Sequence, residues 1–380
     1  MNILVTGANG FIGKNLIAAL NNVKNGKDKT RSLGPDINIL CCAHDTPPEK
    51  LEEFCGIADF VYNLAGVNRP KDPVDFMVGN VGFTTILLDT LKKHNNKCPV
   101  MLASSIQAER ENLYGQSKKA GEDVLFAYAR DTGAEVLVYR FPNVFGKWCK
   151  PNYNSAVATF CYNIAHNLPI TVNDPSVVMN LVYVDDVVDE LIRAAEGLQT
   201  RNGNYCSVPV TYMIKLGEIA ERIDSFKASR VNLSVPDMSD DFTKKLYATY
   251  LSYLPEDSFS YPLTMNIDLR GSFTEILRTT DRGQFSVNIS HPGIVKGNHW
   301  HNTKNEKFLV VSGKGVIRFR KIGEEKVYEY YVSGDKFVVV DIPTGYTHNI
   351  ENLGNSDLVT FMWCCECFDP TKPDTFFEEV

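Results

Sequence analysis

Apolar positions follow one pattern through the first two thirds of the chain. In residues 1–240, the apolar run Ile3–Thr6 is followed by Lys14–Asn22, whose apolar side chains recur at the spacing of one helix face. The same alternation continues through three more strand-like runs and two more helical stretches: Ile37–Cys42, Phe60–Ala65, Pro99–Ser104, Thr84–Lys93 and Tyr114–Ala129. Strands separated by helices build βαβ units, so this region predicts an α/β domain with a doubly wound parallel sheet.

The pattern changes after the helical stretch Thr243–Tyr253. Strand-like runs then follow one another closely, with Gly-rich turns between them: Gly283–Ser290, Glu306–Val311, Gly315–Arg320, Lys326–Val332, Asp335–Ile342 and Leu358–Trp363. Close spacing of short strands is typical of an antiparallel barrel or jelly roll. We therefore predict two domains, an α/β domain over residues 1–245 and an all-β domain over residues 255–380.

Composition narrows the class of protein. The 380-residue chain has 44% hydrophobic and 22% charged residues, which is typical of a soluble globular protein. A net charge of −7 argues against the basic face that nucleic acids and anionic membranes require. No apolar run reaches the length of about eighteen residues that a spanning helix needs, and the N-terminus lacks the features of a signal peptide. Ten scattered cysteines suit a reducing compartment, so we expect a cytoplasmic protein.

A glycine-rich turn follows the first predicted strand and opens the first predicted helix. Glycines there permit a tight turn and a close approach of the backbone to a pyrophosphate, which the helix N-terminus favours through its free N–H groups. The G-x-x-G-x-x-G spacing resembles the extended branch of the short-chain dehydrogenase/reductase superfamily, which implies a Rossmann-type fold. The dinucleotide-binding residues that we predict here are Gly7, Asn9, Gly10, Phe11, Ile12 and Gly13.

The end of the second predicted strand bears on the choice between NAD and NADPH. An acidic residue at this place would bind the ribose 2′-hydroxyl and favour NAD. Here His44 lies roughly where a basic residue would meet a 2′-phosphate, and Asp45 follows it. We predict NADPH, with NAD as the open alternative. The stretch Asn63–Gly66 resembles the family's segment beneath the adenosine, which implies contacts from Leu64 and Ala65.

Tyr114 and Lys118 stand four residues apart in a predicted helix, so both lie on one face. A lysine cation beside the phenol favours tyrosinate and is expected to lower its pKa. The pair matches the catalytic tyrosine and lysine of the superfamily, in which the lysine also contacts the cofactor ribose. Ser105 matches the serine that hydrogen-bonds the substrate carbonyl. Its spacing to Tyr114 is short for this branch, so Ser104 remains the alternative.

Two later stretches extend the resemblance. Arg140–Gly146 resembles the sugar-nucleotide segment of the extended branch, so we predict substrate contacts from Asn143 and the nearby Lys147. Tyr183–Asp186 matches the branch's helix-entry motif, in which Asp185 is predicted to be the N-cap. Each short match has a simple structural explanation, a core strand, a turn or a cap. Their order along one chain is what favours the family.

The all-β part carries four potential metal ligands. His299 and His301 alternate on a predicted strand and so point to one face, and Glu306 and His348 come from neighbouring strands. Three imidazoles and one carboxylate suit Zn²⁺, Fe²⁺, Ni²⁺ or Mn²⁺, and we predict a divalent metal, with zinc preferred. Two blocks that contain these ligands, Gly293–Gly313 and Pro343–Asn352, resemble the paired motifs of cupins, so the all-β domain is predicted to be a cupin. The alternatives are a metal-free cupin and a metal site in the cysteine-rich tail.

The stretch before these ligands resembles the sugar-nucleotide 3,5-epimerase branch of cupins. The resemblance implies diphosphate contacts from Arg270 and Lys296. In that branch a histidine after a basic-Gly pair is the base, and here the matching residue is His299. A metal bound to His299 would occupy the lone pair that a base needs. The identity of the base for proton abstraction therefore stays open.

The order of the two domains, reductase first and cupin second, together with the stretches Phe145–Ser155 and Gly297–Gly315, resembles the CapF-type family of bifunctional capsular polysaccharide assembly enzymes. The resemblance implies C3 epimerisation of a UDP-linked 4-ketosugar in the cupin domain and NADPH-dependent reduction of the C4 ketone in the first domain. It also implies a homodimer. Three alternatives stay open: a reductase with a structural or dimerising cupin, an epimerase or dehydratase that recycles tightly bound NAD, and a regulator that senses the cofactor.

Overall fold

The computed structural model describes residues 1–70, 72–279 and 281–380. The chain divides into a first unit, Met1–Asp224 with Asp241–Pro255, and a second unit, Ser225–Asp240 with Glu256–Val380. The sequence had assigned residues 225–240 to the first domain, and the structure differs there. The backbone explains why, because Leu233 accepts a hydrogen bond from the Arg278 N–H and Val235 donates one to the Arg278 carbonyl.

Among the described residues, the first unit has ten strands in two sheets. They are β1 (Asn2–Thr6), β2 (Asn38–Cys42), β3 (Phe60–Asn63), β4 (Val100–Ser105), β5 (Val136–Phe141), β6 (Asn143–Phe145), β7 (Val178–Tyr183), β8 (Arg201–Asn202), β9 (Tyr205–Cys206) and β10 (Tyr212–Lys215). The larger sheet has the order β2-β1-β3-β4-β5-β9-β8, parallel except for the β8–β9 pair. The smaller sheet has the order β10-β7-β6.

Nine α-helices are described along the chain. They are α1 (Phe11–Lys24), α2 (Pro48–Ile57), α3 (Asp75–Met77), α4 (Phe83–Lys93), α5 (Leu113–Thr132), α6 (Ala156–Ala165), α7 (Val184–Ala195), α8 (Leu216–Asn232) and α9 (Asp241–Leu251). A π-helical turn, Val78–Gly82, precedes α4, and two 3₁₀ turns occur at Ile106–Glu109 and Glu256–Ser258. None of the described helices has the length and apolar character needed to cross a membrane.

The larger sheet is buried on both faces, as its nearly continuous apolar strands require. In β1, Ile3 and Val5 belong to one apolar cluster with residues of α1 and α7, while Leu4 between them belongs to another with residues of α2, α4 and α5. The period of two in a strand produces this division. The predicted α/β class with a doubly wound parallel sheet is confirmed.

The second unit is built from two antiparallel sheets. Its strands are β11 (Met265–Asp268), β12 (Gly271–Thr279), β13 (Gly283–Ser290), β14 (Val295–Trp300), β15 (Glu306–Ser312), β16 (Lys314–Lys321), β17 (Val327–Ser333), β18 (Val339–Ile342), β19 (Tyr346–Asn352), β20 (Leu358–Cys364) and β21 (Phe376–Phe377). The sheet orders are β11-β12-β13-β20-β15-β18 and β17-β16-β19-β14-β21. Both sheets contribute to one apolar cluster, for example Phe308 from β15 and Ile350 from β19. The all-β class predicted for this region is confirmed.

Candidate functional site

The glycine turn between β1 and α1 packs directly on the segment that follows β3. Gly7 has a φ of +64°, and a Cβ there would lie 2.8 Å from the Ala65 nitrogen and from the Leu64 carbonyl carbon and oxygen. A Cβ on Gly13 would lie 2.3 Å from the Gly7 carbonyl oxygen. Only glycine fits both places, so the structure brings the predicted turn together with the predicted residues Leu64 and Ala65.

The N-terminus of α1 has the character of an anion site. Gly10 is the N-cap, and Asn9 and Gly10 are exposed while Phe11 and Ile12 are half-buried. The first turn of α1 contains no acidic residue, so no carboxylate of that turn competes with a bound anion for the free N–H groups and the positive end of the helix dipole. Together with the cradle that a Cβ at Gly7 or Gly13 would fill, this arrangement fits a dinucleotide pyrophosphate.

His44 lies close to the same edge of the sheet. Cys42, the last residue of β2, pairs with Thr6, the last residue of β1, and His44 follows two residues later. The side chain of His44 is exposed. Its assignment to the 2′-phosphate of NADPH remains a prediction, because the structure places it at the correct edge without a contact that selects between the two cofactors.

Ser105 and Tyr114 are brought together, and Ser104 is occupied elsewhere. The Ser104 hydroxyl is buried and donates to the Glu122 carboxylate at 2.5 Å. Ser105 caps the 3₁₀ turn, where its Oγ accepts the Gln107 N–H at 3.2 Å, and its side chain lies close enough to the Tyr114 phenol to favour a lower pKa of that phenol. Of the two serines that the sequence left open, the geometry favours Ser105.

Lys118 is a buried cation beside this tyrosine. Its Nζ donates to the Ala103 carbonyl at 3.2 Å and lies 5.9 Å from the centre of the Tyr114 ring. Burial lowers the pKa of Lys118 to about 8, with the Glu122 carboxylate opposing the change. Burial also raises the pKa of Tyr114, and the nearby Ser105 side chain opposes that change. The expected lowering of the phenol pKa is therefore not what the structure has, because desolvation of the phenol outweighs the opposing effect of Ser105.

Asn80 is a site residue that the sequence analysis missed. It lies in the π-helical turn, is 4% exposed, and hydrogen-bonds both the Val67 backbone and the Ser117 hydroxyl. A Cβ on Gly66 would lie 2.9 Å from Asn80 Oδ1 and 3.0 Å from Lys118 Nζ. Asn80 thus fixes the backbone around the lysine. No periodicity could have indicated it, although a π turn often marks a functional segment.

The predicted substrate residues of the first unit have partners within the protein. Asn143 is exposed, and its Nδ2 donates to the Asn180 carbonyl at 3.1 Å. Lys147 Nζ forms an ion pair with the Asp185 carboxylate at 2.5 Å. The prediction that Asp185 is an N-cap is wrong, because α7 begins at Val184 and its N-cap is Tyr183. The carboxylate is instead the partner of Lys147.

The four predicted metal ligands form one cluster in the second unit. One donor atom from each of His299, His301, Glu306 and His348 lies within 4.8 Å of all the others. His301 and His348 are each 1% exposed, and their Nε2 atoms lie 3.6 and 3.5 Å from Glu306 Oε2. Burial lowers the pKa of His299 to about 4, so this imidazole is neutral at pH 7 and has a lone pair to share.

The buried polar atoms of this cluster fit a metal ion. His301 Nε2, Glu306 Oε2 and both ring nitrogens of His348 are buried without a hydrogen-bond partner. Leaving such atoms unpaired costs free energy unless they share a cation. Imidazole and carboxylate are ligands that zinc and related divalent metals accept. Among the described residues, this is the group of His, Cys, Asp and Glu that could hold an ion, and the cysteine tail is not part of it.

A bulge in β14 directs the cluster toward a cavity. The register of β14 against β19 shifts between Gly297 and His299, so Lys296 and His299 both line one cavity of about 1090 Å³. Lys296 Nζ donates to Asn288 Oδ1 at 2.9 Å and to the Ile289 carbonyl at 2.8 Å. Arg270 also lines the cavity, where it pairs with Asp268. The two residues predicted to bind a diphosphate thus line the same cavity as three of the predicted metal ligands, His299, Glu306 and His348.

Comparison with known proteins finds two family models that match separate parts of the chain. The model of the NAD dependent epimerase/dehydratase family matches residues 3–205, and the model of the polysaccharide biosynthesis C-terminal domain matches residues 266–376. A curated relative from Pseudomonas aeruginosa, UDP-2-acetamido-2,6-beta-L-arabino-hexul-4-ose reductase, is 43% identical over 376 residues, covering 99% of this chain and 98% of that protein.

One solved structure is similar to this chain over its full length, and another over two thirds of it. The capsular polysaccharide assembling protein CapF from Staphylococcus aureus superposes with a TM-score of 0.93 and 54% identity, covering 100% of both chains. UDP-glucuronic acid 4-epimerase from Bacillus cereus shares the fold alone, with a TM-score of 0.53 and 19% identity over 67% of this chain and 98% of that chain. The chain belongs to the NAD dependent epimerase/dehydratase family, as a CapF-type member with a polysaccharide biosynthesis C-terminal domain.

Proposed function

We propose that this protein is a bifunctional nucleotide-sugar enzyme. The second unit epimerises C3 of a UDP-2-acetamido-2,6-dideoxy-4-ketohexose, and the first unit reduces the C4 ketone with NADPH. The product is a UDP-N-acetyl-L-talosamine-type sugar for capsular or surface polysaccharide. The observation that carries the proposal is that each unit has its own site: Ser105, Tyr114 and Lys118 near a glycine turn in one, and a His/Glu cluster in a cavity in the other. The activity of the 43% identical relative supports it.

Reduction of a ketone requires a hydride at carbon and a proton at oxygen. NADPH, held by the glycine turn, supplies the hydride when bound. Tyr114 gives its phenolic proton to the C4 oxygen, and Ser105 hydrogen-bonds the same oxygen. Lys118 stabilises the resulting tyrosinate, which is most useful where burial otherwise raises the pKa of the phenol. The proton and the hydride together convert the C=O group to a CH–OH group.

Epimerisation at C3 depends on the same ketone. The hydrogen at C3 is acidic because the C4 carbonyl accepts the electron pair as an enolate. His299, His301, Glu306 and His348 would hold a divalent metal, preferably Zn²⁺, which supplies Lewis acidity toward a carbonyl oxygen when bound. The ammonium of Lys296 adds positive charge to the cavity. Reduction removes the ketone, so epimerisation comes first and reduction fixes the new configuration.

The test is incubation of the UDP-4-ketosugar in D₂O with NADPH and the variant Tyr114→Phe. We expect the variant to incorporate deuterium at C3, seen by NMR, while its rate of NADPH oxidation falls by roughly 10²–10⁴. Tyr128→Phe is the matched control, since its hydroxyl lies on the same helix and donates to the Asn96 carbonyl, which is not part of the predicted site. This control should reduce the ketone normally.

Two results would contradict the proposal. If wild-type product carries deuterium at C3 and the Tyr114→Phe protein incorporates none, the first unit performs both reactions. If the wild type forms product without oxidising an equal amount of NADPH, the enzyme recycles a bound NAD instead. We also propose that the protein is a cytoplasmic homodimer. Sedimentation equilibrium of the purified chain would test the number of subunits, and fractionation of cells would test the location.

A further inference from the structure

Residues near the C-terminus pair with the strand that carries His299. Strand β21 pairs with β14, with Phe377 opposite His299 and Phe376 opposite Trp300. The Trp300 and Phe376 rings pack with centroids 5.0 Å apart, and the Glu378 N–H donates to the Asn298 carbonyl at 3.0 Å. We name residues 374–379 the C-terminal strap. Nothing in its own sequence indicates a functional role, yet its residues 376–378 lie against the strand that carries His299.

The start of the strap contacts His301 directly. The Nδ1 atom of His301 donates a hydrogen bond to the backbone carbonyl of Asp374. The Asp374 carboxylate accepts three backbone N–H groups in the turn after that histidine, from Asn302 at 2.9 Å, Thr303 at 2.7 Å and Lys304 at 2.9 Å. The carboxylate therefore anchors residue 374 to the turn, and the anchored backbone holds its own carbonyl against the imidazole.

The end of the strap contacts the element that carries His348. The Thr347 hydroxyl, one residue before His348, donates to the Glu378 carbonyl. Arg320 on β16 donates to the Glu378 carboxylate at 2.7 Å and to the Glu379 carbonyl at 2.6 Å. The strap is therefore bound to β14, to β19 and to the turn after His301. These three segments hold all three histidines of the cluster.

The contact with His301 has a chemical consequence. A neutral imidazole carries one proton, so a nitrogen that donates a hydrogen bond leaves the other nitrogen with a free lone pair. In the neutral ring, the proton that Nδ1 donates to the carbonyl leaves Nε2 with the lone pair, and Nε2 is the buried, unpartnered atom 3.6 Å from the Glu306 carboxylate. An outer hydrogen bond of this kind fixes the tautomer and the ring orientation of a metal-binding histidine.

We propose that the C-terminal strap is a positioning element of the metal site, in which Asp374 selects the Nδ1–H tautomer of His301 and so prepares Nε2 to bind the metal. The inference rests on the proposed metal centre, but the tautomer itself is a property of the metal-free protein. Asp374 is a positioning residue: its side chain acts through the 302–304 turn and its carbonyl through the imidazole.

The test compares Asp374→Ala with Asp369→Ala in the full chain. Asp369 is a matched control, because its carboxylate in the same tail accepts hydrogen bonds from Thr371, two residues on, and none is described from the turn after His301. In metal-free protein, ¹⁵N–¹H NMR of the histidine side chains should show His301 as the Nδ1–H tautomer in wild type and control. In Asp374→Ala, the Nε2–H form should become populated. Competition with a chromophoric chelator should show the dissociation constant for Zn²⁺ rising about 10–100-fold in this variant only.

The outcomes distinguish a failure of the inference about the strap from a failure of the proposed metal site. Unchanged tautomer and unchanged Zn²⁺ affinity in Asp374→Ala would overturn the inference. If the alanine variant does not fold, Asp374→Asn keeps one amide oxygen as acceptor, and the same two measurements decide, with an intermediate effect expected. If wild type binds no Zn²⁺ yet His301 shows the Nδ1–H tautomer that Asp374→Ala loses, the proposed metal fails and the strap's control of the histidine stands.

Discussion

The buried ammonium of Lys118 should make the first unit less stable than it would be without it. Burial lowers its pKa from 10.5 to about 8, so protonated Lys118 prefers the unfolded chain. At pH 7 this preference costs about 3 kcal/mol of the free energy of unfolding. Lys118→Met removes the charge and keeps a side chain of similar length, while losing a hydrogen bond to Ala103 that is worth about 1 kcal/mol. We expect the variant to be more stable by about 2 kcal/mol.

The sign of the pH dependence shows whether the variant is more stable because it lacks a buried charge or because it packs better. Between the folded pKa of about 8 and the unfolded value of 10.5, the unfolded wild type binds more protons than the folded one. Wild-type stability therefore rises with pH in this window, and that of the methionine variant does not. From pH 7 to pH 9.5 the wild type should recover about 2 kcal/mol, so that the two proteins become nearly equal in stability.

Urea unfolding of the full chain at several pH values provides the measurement. Hydrogen exchange of peptides from β4 and α5 identifies the transition of the first unit. Lys119→Met is the matched control, since Lys119 is more exposed and pairs with Asp123 on the same helix, and it should change stability by less than about 0.5 kcal/mol. A Lys118→Met protein that is less stable at pH 7, or whose advantage does not shrink by pH 9.5, would refute the reasoning.

Further expectations concern the two binding sites. Gly13→Ala places a Cβ 2.3 Å from the Gly7 carbonyl, so it should cost about 1–3 kcal/mol and weaken NADPH binding in a fluorescence titration. Gly34→Ala, which meets nothing within 4 Å, should do neither. His44→Asp should shift the ratio of kcat/KM values from NADPH toward NADH by repelling a 2′-phosphate, and a wild type that already prefers NADH would show that His44 has no such role. His348→Ala should lose its metal in elemental analysis, and retention would place the ion elsewhere.

The local patterns of the sequence determined the fold class. Burial on both faces of a parallel sheet requires apolar strands such as Ile3–Thr6, and antiparallel strands need only short runs and tight turns, so periodicity alone separated the two regions. The glycine turn was also predictable, because its function needs bare backbone at fixed spacing. The metal cluster was predictable for a related reason, since His299 and His301 share a face through the period of two in a strand.

Other features depend on contacts between residues that are distant in the chain. Lys147 and Asp185 are 38 residues apart, and this pairing, absent from any local pattern, replaced the expected N-cap. Asn80 and Ser117, 37 residues apart, are joined by a hydrogen bond that no local pattern indicates. The segment 225–240 joined the second unit because its backbone bonds to Arg278.

The choice between Ser104 and Ser105 shows the limit of the sequence most clearly. The two serines are adjacent, identical and in one strand, and their spacing to Tyr114 differs by one residue. Alternation in β4 turns Ser104 toward Glu122 and leaves Ser105 for the phenol. In the same way, the sequence supplied His301 as a ligand, but its tautomer depends on a carbonyl 73 residues away. Residue types and periodicity determined which chemistry each unit carries, and long-range packing decided which atoms are free to perform it, because a hydrogen bond with one partner removes that donor or lone pair from any other.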